Sequence, residues 1–202
     1  MIKLYSLSLS LIMIFISSCS AEKIKYEPIA PNTNSTFQPL QKNWINFSSA
    51  DWRGNLGLSS QCRNLDQEDE QRLKNTIPID QDSFLLLLTC ELGAYQDAQF
   101  VYLVNSDQQT VKELVFEVPE YTDEWRFTPN KLVWGAVYKD PDGEVLEVIN
   151  LSAATGMCGY VAYYKISDVL NSNPINLYKA TGDDDCYNGV TVEYWPIIKS
   201  ES

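Results

Sequence analysis

Cysteine is the residue type of this sequence with the most specific chemistry, and five are present. Four of them form two equally spaced pairs, because Cys90 lies 28 positions after Cys62 and Cys186 lies 28 positions after Cys158. A thiol can form a disulfide, bind a metal or act as a nucleophile. The chain has no histidine, which excludes a Cys–His pair, a Ser–His–Asp triad and any histidine-ligated zinc or iron site.

The fifth cysteine, Cys19, follows a segment with the features of a bacterial export signal. Lys3 precedes an apolar run over residues 4–16, and Ser17 and Ser18 lead into the cysteine. The run is shorter than the roughly 20 apolar residues that a membrane-spanning helix needs. The order aliphatic-small-small-Cys resembles the lipobox of bacterial lipoproteins. That resemblance implies that residues 1–18 are a signal peptide and that Cys19 is acylated, for example with palmitate.

Lipidation of Cys19 leaves Cys62, Cys90, Cys158 and Cys186, an even number in an oxidising compartment. Four cysteines allow three disulfide connectivities, and we favour the two local pairs, Cys62–Cys90 and Cys158–Cys186. The alternative is a four-thiolate metal site, but the chain has no Cys-x-x-Cys spacing. We therefore expect no metal and no cofactor.

The charge of the chain bears on its partners. Only Lys3 is lost with residues 1–18, so 14 basic residues remain against 27 acidic ones, a formal charge of −13. Phosphate backbones and anionic headgroups repel such a chain. We therefore expect no nucleic-acid partner, and membrane contact through the lipid anchor alone. The charge serves solubility, or else attraction to a basic envelope protein.

The chain divides into three parts. After the signal peptide, residues 19–42 are rich in Pro, Asn and Ser, a composition typical of a flexible tether. Residues 43–202 are long enough for a single disulfide-bonded domain. Ser20, rather than an aspartate, follows the lipobox cysteine. By resemblance to lipoproteins of enteric-type bacteria, this implies an anchor in the outer membrane that faces the periplasm.

Short β-type runs dominate the domain and predict a mainly β fold, an antiparallel sandwich or barrel of about eight short strands with at most one or two short helices. The predicted strands cover residues 84–88, 100–104, 112–118, 131–138, 145–151, 160–166, 175–181 and 190–198. The first of these is apolar without alternation, which indicates burial on both faces. We predict loops over 51–57 and 119–130. For residues 64–75, a solvated charged face is favoured over a short helix capped by Asp66.

Three separated motifs resemble one protein family. Residues 89–96 (TCELGAYQ), residues 154–160 (ATGMCGY), and Cys186 with Gly189 and the closing 194–196 (YWP) are similar in order and spacing to bacterial proteins grouped as domain of unknown function 1176. The resemblance covers about 62–198. Met157 stands where that family has aspartate, and a basic lead into the third cysteine is missing. The resemblance implies the fold, export and disulfides but no activity.

Two groups of side chains are candidates for binding. Several aromatic residues could present a face that stacks on sugar rings or a protein partner, but packing of these half-buried side chains on their neighbours is the favoured interpretation. The candidates are Tyr95, Tyr160, Tyr164, Tyr194 and Trp195. Asp183, Asp184 and Asp185 form the densest acidic cluster, for which a solvated turn is favoured over a calcium site.

These observations favour a lipid-anchored cell-envelope protein that acts as a non-catalytic binding or accessory module, with a basic envelope protein or a glycan as its partner. One alternative is an inhibitor of a basic cell-wall enzyme such as a lysozyme. Another is an enzyme that acts on glycans through two carboxylates. The absence of histidine argues against catalysis, and we assign no catalytic residue.

Overall fold

The computed structural model describes residues 38–62, 65, 68–167 and 174–200, and these contain thirteen strands and two short helices. In chain order the strands are β1 (Gln38–Pro39), β2 (Lys74–Pro78), β3 (Ser83–Glu91), β4 (Ala98–Asn105), β5 (Thr110–Glu113), β6 (Phe116–Tyr121), β7 (Trp125–Asn130), β8 (Leu132–Trp134), β9 (Ala136–Lys139), β10 (Val145–Leu151), β11 (Gly159–Ile166), β12 (Ile175–Asp183) and β13 (Ile197–Ser200). The helices are α1 (Ser49–Asn55) and α2 (Glu70–Leu73). Cys19 and Asp66 lie outside the described residues.

The strands form two larger sheets and one hairpin, and every pairing is antiparallel. The first sheet has the order β1-β5-β4-β3-β2, and β8 also pairs with β4. The second sheet has the order β13-β12-β11-β10-β9, while β6 and β7 form the hairpin. The predicted class is confirmed: the fold is mainly β, antiparallel and sandwich-like, with two short helices.

The larger hydrophobic core lies between the two sheets. Leu85 and Leu87 of β3 point into it from the first sheet, and Leu146 and Val148 of β10 point into it from the second. Phe116 of the hairpin strand β6 is fully buried in the same core, where its ring meets that of Tyr164 edge to face at 5.1 Å. The hairpin is therefore packed onto the sandwich rather than projecting from it.

A second core covers the opposite face of the first sheet. Leu86 and Leu88 of β3 pack there with Trp52 of α1 and Leu73 of α2. The Cys62–Cys90 disulfide belongs to this core. The leucine run of β3 is thus buried on both faces, as its lack of alternation predicts.

Several elements differ in extent from the sequence-based expectation. The predicted strand 112–118 is divided between β5 and β6, and the predicted strand 131–138 is divided between β8 and β9 at Gly135. The predicted strand 190–198 is wrong except for its last two residues, which begin β13, because residues 192–194 form a 3-10 turn. The predicted loop 119–130 is instead largely the hairpin of β6 and β7. The end of the predicted tether belongs to the domain, since Gln38 and Pro39 pair with β5.

The helix α1 occupies the predicted loop 51–57, and its start has a local cause. The Ser48 hydroxyl accepts a hydrogen bond from the Asp51 backbone N–H at 3.1 Å. In return, the Asp51 carboxylate accepts from the Ser48 N–H at 2.9 Å. This capping box satisfies donors that a helix start leaves unpaired.

A side chain connects the first sheet to the second. Gln96, in the turn after β3, donates from Nε2 to the Ile149 carbonyl at 3.1 Å, and its Oε1 accepts from the Leu151 N–H at 2.7 Å. The carboxamide thereby pairs with β10 as a neighbouring peptide group would. Gln96 is the last residue of the TCELGAYQ motif, so this motif residue has a structural role.

We predict that Gln96→Ala lowers the free energy of unfolding by about 1–3 kcal/mol, because two part-buried backbone groups of β10 lose their partner. Urea denaturation measures the change. The matched control is Gln108→Ala on the exposed turn between β4 and β5, which should stay within about 0.5 kcal/mol of the parent. Equal effects of the two substitutions would contradict the role of Gln96.

Candidate functional site

A cleft of about 530 Å³ opens where the β6–β7 hairpin meets the ends of β8, β10, β11 and β12. We call it the aromatic cleft. The lining residues that have an aromatic ring, a carboxylate or an amide include Glu120, Tyr121, Trp125, Trp134, Asn150, Tyr160, Asp183 and Asp184. A pocket with aromatic walls and a few convergent polar groups is the usual form of a small-ligand site.

The Cys158–Cys186 disulfide forms part of the wall of the aromatic cleft. It joins the residue before β11 to the loop after β12. The start of β11 and the end of β12, which both border the cleft, are therefore linked covalently. The other disulfide, Cys62–Cys90, lies in the second core. These are the two pairings that the sequence favours, and they leave no four-thiolate metal site. No group of three metal-ligating side chains occurs among the residues that the structure describes.

Trp125, at the start of β7, packs against the second sheet at Gly182, where only a glycine leaves room for its ring. A Cβ atom on Gly182 would lie 2.8 Å from the Trp125 ring, closer than real Cβ contacts, and 3.0 Å from the Gly159 carbonyl oxygen. The Tyr121 ring meets the Trp125 ring edge to face at 5.3 Å. Trp125 therefore lies against the sheet and leaves part of its ring in the cleft.

Trp134, at the end of β8, is the second tryptophan that lines the aromatic cleft, and 36% of it is exposed. Its carbonyl accepts a hydrogen bond from Asn150 Nδ2 at 3.1 Å. Its ring passes within 3.2 Å of the place that a Cβ on Gly93 would occupy, and the Gln96 carbonyl oxygen lies only 2.0 Å from that place. The glycine of the TCELGAYQ motif thus makes room for the tryptophan of the cleft.

Three carboxylates border the aromatic cleft, and none of its lining residues in the described chain is Lys or Arg. Asp183 accepts from the Asp185 N–H at 2.9 Å and from Asn188 Nδ2 at 2.7 Å. A hydrogen bond to Asp184 raises the pKa of Tyr121. The acidic run 183–185 therefore stabilises a turn, and it also makes the cleft negative.

Tyr160 places a polar group in the buried part of the aromatic cleft. Burial, followed by the nearby charge of Glu120, raises the pKa of its hydroxyl well above the usual range, so the group is neutral. Asn150 is close enough to act on that pKa in the opposite direction. The hydroxyl nevertheless has no well-formed hydrogen bond within the described part of the chain.

The five candidate aromatic residues do not share one exposed sheet face. Tyr160 and Tyr164 lie on the inward face of β11, and Trp195 is also buried. Tyr164 donates to the Glu117 carbonyl at 3.0 Å, which is a core role. Tyr95 and Tyr194 are exposed but do not line the aromatic cleft. Of the five candidates, only Tyr160 reaches the cleft.

Neither tryptophan of the aromatic cleft is among the residues that the sequence predicts to bind. Trp125 falls in the predicted loop 119–130, and Trp134 falls in a predicted strand that was not assigned a face. Their position depends on Gly182 and Gly93, which are distant in sequence. The motif glycine Gly93 was the one available signal.

A second recess, of about 500 Å³, lies beside Tyr95 and Tyr138. Its charged side chains are already matched to each other: Arg72 Nε lies 2.9 Å from Asp97 Oδ2, and Arg72 Nη2 lies 2.8 Å from Asp97 Oδ1. This pair holds the pKa of Asp97 below its usual value. The recess therefore offers a ligand fewer unmatched groups than the aromatic cleft.

Comparisons with known proteins add no relative. The chain matches no protein-family model, no curated protein and no solved structure. The resemblance to domain of unknown function 1176 therefore stays a prediction. None of the helices in the described ranges has the length and apolar character needed to cross a membrane.

We predict opposite effects for two glycine-to-alanine substitutions. Gly182→Ala should lower the free energy of unfolding by about 1–3 kcal/mol, because its Cβ would collide with the Trp125 ring. Gly54→Ala should raise it by about 0.5–1 kcal/mol, because Gly54 lies in α1 and the nearest atom to its Cβ position is the Ser59 hydroxyl oxygen at 4.0 Å, an ordinary contact. Urea denaturation and tryptophan emission measure both. The assignment of Trp125 is contradicted if Gly182→Ala changes neither the stability nor the emission.

Proposed function

We propose that the protein is a lipid-anchored, non-catalytic binding module of the bacterial cell envelope, and that its aromatic cleft takes a sugar ring of an envelope glycan. The observation that carries the proposal is the pair of partly exposed tryptophans, Trp125 and Trp134, beside polar acceptors in one cleft. The flat apolar face of a sugar ring packs on aromatic rings. Its hydroxyl groups donate well to carboxylates.

The hydrogen bonds around the carboxylates favour binding over catalysis. Hydrolysis of a glycosidic bond needs two carboxyl groups, one on each side of that bond. Both oxygens of Asp183 are already acceptors in the turn after β12, and Asp184 accepts from the Tyr121 hydroxyl. These two carboxylates serve the wall of the cleft, so a pair with Glu120 for acid and base chemistry is not supported.

The anchor is the second part of the proposal. The lipobox-like segment that ends at Cys19 supports export and acylation. Ser20 supports outer-membrane sorting, with the domain facing the periplasm. Two disulfides in the folded domain are in keeping with an oxidising compartment. The membrane partner is then the lipid bilayer, reached through the acyl chains.

A second candidate function is inhibition of a basic cell-wall enzyme such as a lysozyme. The observation that favours it is the negative lining of the aromatic cleft together with the formal charge of −13 on the mature chain. Such a field steers a basic protein toward the cleft. Association with lysozyme that weakens as salt rises would support this function, and no association even at low salt would dispose of it.

We predict that Trp134→Ala weakens glycan binding by at least about tenfold, because the sugar loses one of its two aromatic walls. Calorimetric titration of the mature protein with tetramers of glucosamine and of N-acetylglucosamine measures the change. The control is Tyr187→Ala, which removes an aromatic ring that is 95% exposed and outside the cleft. Affinities that Trp134→Ala leaves unchanged would refute the assignment of the cleft.

We also predict that Cys19→Ala abolishes labelling of the protein by radioactive palmitate, because the acylated thiol is gone. Mature protein should then be missing from washed membrane fractions. Cys62→Ala is the matched control, since it removes a cysteine of the folded domain, half of the Cys62–Cys90 disulfide, and should keep the label. Continued labelling of the Cys19 variant would show that the lipid is attached elsewhere or that the anchor is wrongly assigned.

A further inference from the structure

We propose that the ligand of the aromatic cleft is an amino-sugar unit with a free primary ammonium, so that the protein prefers de-N-acetylated glycans to N-acetylated ones. The inference rests on the proposed function and adds to it the charge of the ligand.

The carboxylates of the aromatic cleft match a cation that only donates hydrogen bonds. An ionised carboxylate is an acceptor only, and an ammonium has three donors and no acceptor. Glu120, Asp183 and Asp184 line the cleft, and no lining side chain in the described chain supplies a positive charge. An N-acetyl group at the same place would remove the charge and bring a carbonyl oxygen, itself an acceptor, toward these carboxylates.

The Tyr160 hydroxyl is an independent observation that points to a ligand. The side chain lines the cleft with 6% of it exposed, and its hydroxyl has no well-formed partner among the described residues. A buried hydroxyl that lacks a partner destabilises the protein. Glu120 lines the same cleft, and its charge is near enough to act on this hydroxyl. An ammonium bound by Glu120 would also donate to the Tyr160 oxygen.

The aromatic walls favour the same ligand. A cation over the face of an aromatic ring is attracted by the ring quadrupole, and tryptophan is the best of the three aromatic side chains for this interaction. Trp125 and Trp134 both line the cleft. A cationic sugar therefore gains from the rings through its apolar face and through its charge, whereas a neutral sugar gains only through its face.

The test compares the tetramer of glucosamine with the tetramer of N-acetylglucosamine in calorimetric titrations of the mature protein in detergent at low salt. We expect the glucosamine tetramer to bind at least about tenfold more tightly, because its hydrogen bonds to the carboxylates are charge-assisted. That advantage should shrink as salt rises. Equal affinities overturn this inference and leave the proposed function standing. Binding of neither tetramer overturns the proposed function itself.

Two variants distinguish a preference caused by the carboxylates of the cleft from one caused by the net charge of the protein. Glu120→Gln should remove most of the preference for the glucosamine tetramer. Glu144→Gln makes the same change of charge on the exposed turn between β9 and β10 and should keep the preference. If both variants lower the preference equally, net charge causes it and the inference is overturned.

Tyr160→Phe tests the hydroxyl apart from the fold. The hydroxyl has no well-formed partner in the ligand-free protein, so its removal should leave the midpoint of thermal unfolding unchanged or raise it. The affinity for the glucosamine tetramer should fall by about fivefold, in line with the loss of one hydrogen bond. A lower unfolding midpoint with an unchanged affinity would show that the hydroxyl has a structural role and would overturn its part in the site.

Discussion

The first sheet and one wall of the aromatic cleft depend on the register in which β3 pairs with its neighbours. A strand is normally held in register by one polar and one apolar face, but Leu85, Leu86, Leu87 and Leu88 bury leucine on both faces. A slip by one residue would still bury leucine on each side. Two contacts at the end of β3 fix the register instead. Cys90 is bonded to Cys62, and the hydroxyl of Thr89 donates to the Arg72 carbonyl at 2.8 Å. Because β4 pairs with β3 and Ala98 of β4 pairs with Trp134, the same register places one wall of the aromatic cleft.

Much of the fold could be predicted from local patterns, since β-type runs and turn residues recur along the second half of the chain. The hairpin of β6 and β7 could not, because Pro119 and Pro129 lie inside its strands and weaken the strand signal. The helix α1 was hidden by Gly54, a poor helix former, and by a capping box that has Asp51 where Glu or Gln is usual.

The candidate site could be predicted far less well, because its walls come from segments that only the folded chain brings together. Tyr160 was a candidate, yet its sequence neighbourhood does not distinguish a buried hydroxyl from an exposed ring. The alternation of Tyr160, Ala162 and Tyr164 on β11 places all three on one face, and that face is the core. The contact between Trp125 and Gly182 joins residues far apart in the chain, and no hydrophobic periodicity of the sequence predicts such a contact.

The carboxamide of Gln96 has a consequence for solubility. Beyond Ile149, β10 has no further pairing with β9, and unpaired peptide groups at a sheet edge are a template on which another chain can add a strand. Gln96 occupies the Ile149 carbonyl and the Leu151 N–H. A side chain, unlike a strand, has no next peptide group to extend the ladder. The edge is therefore closed to the addition of a strand at Ile149 and Leu151.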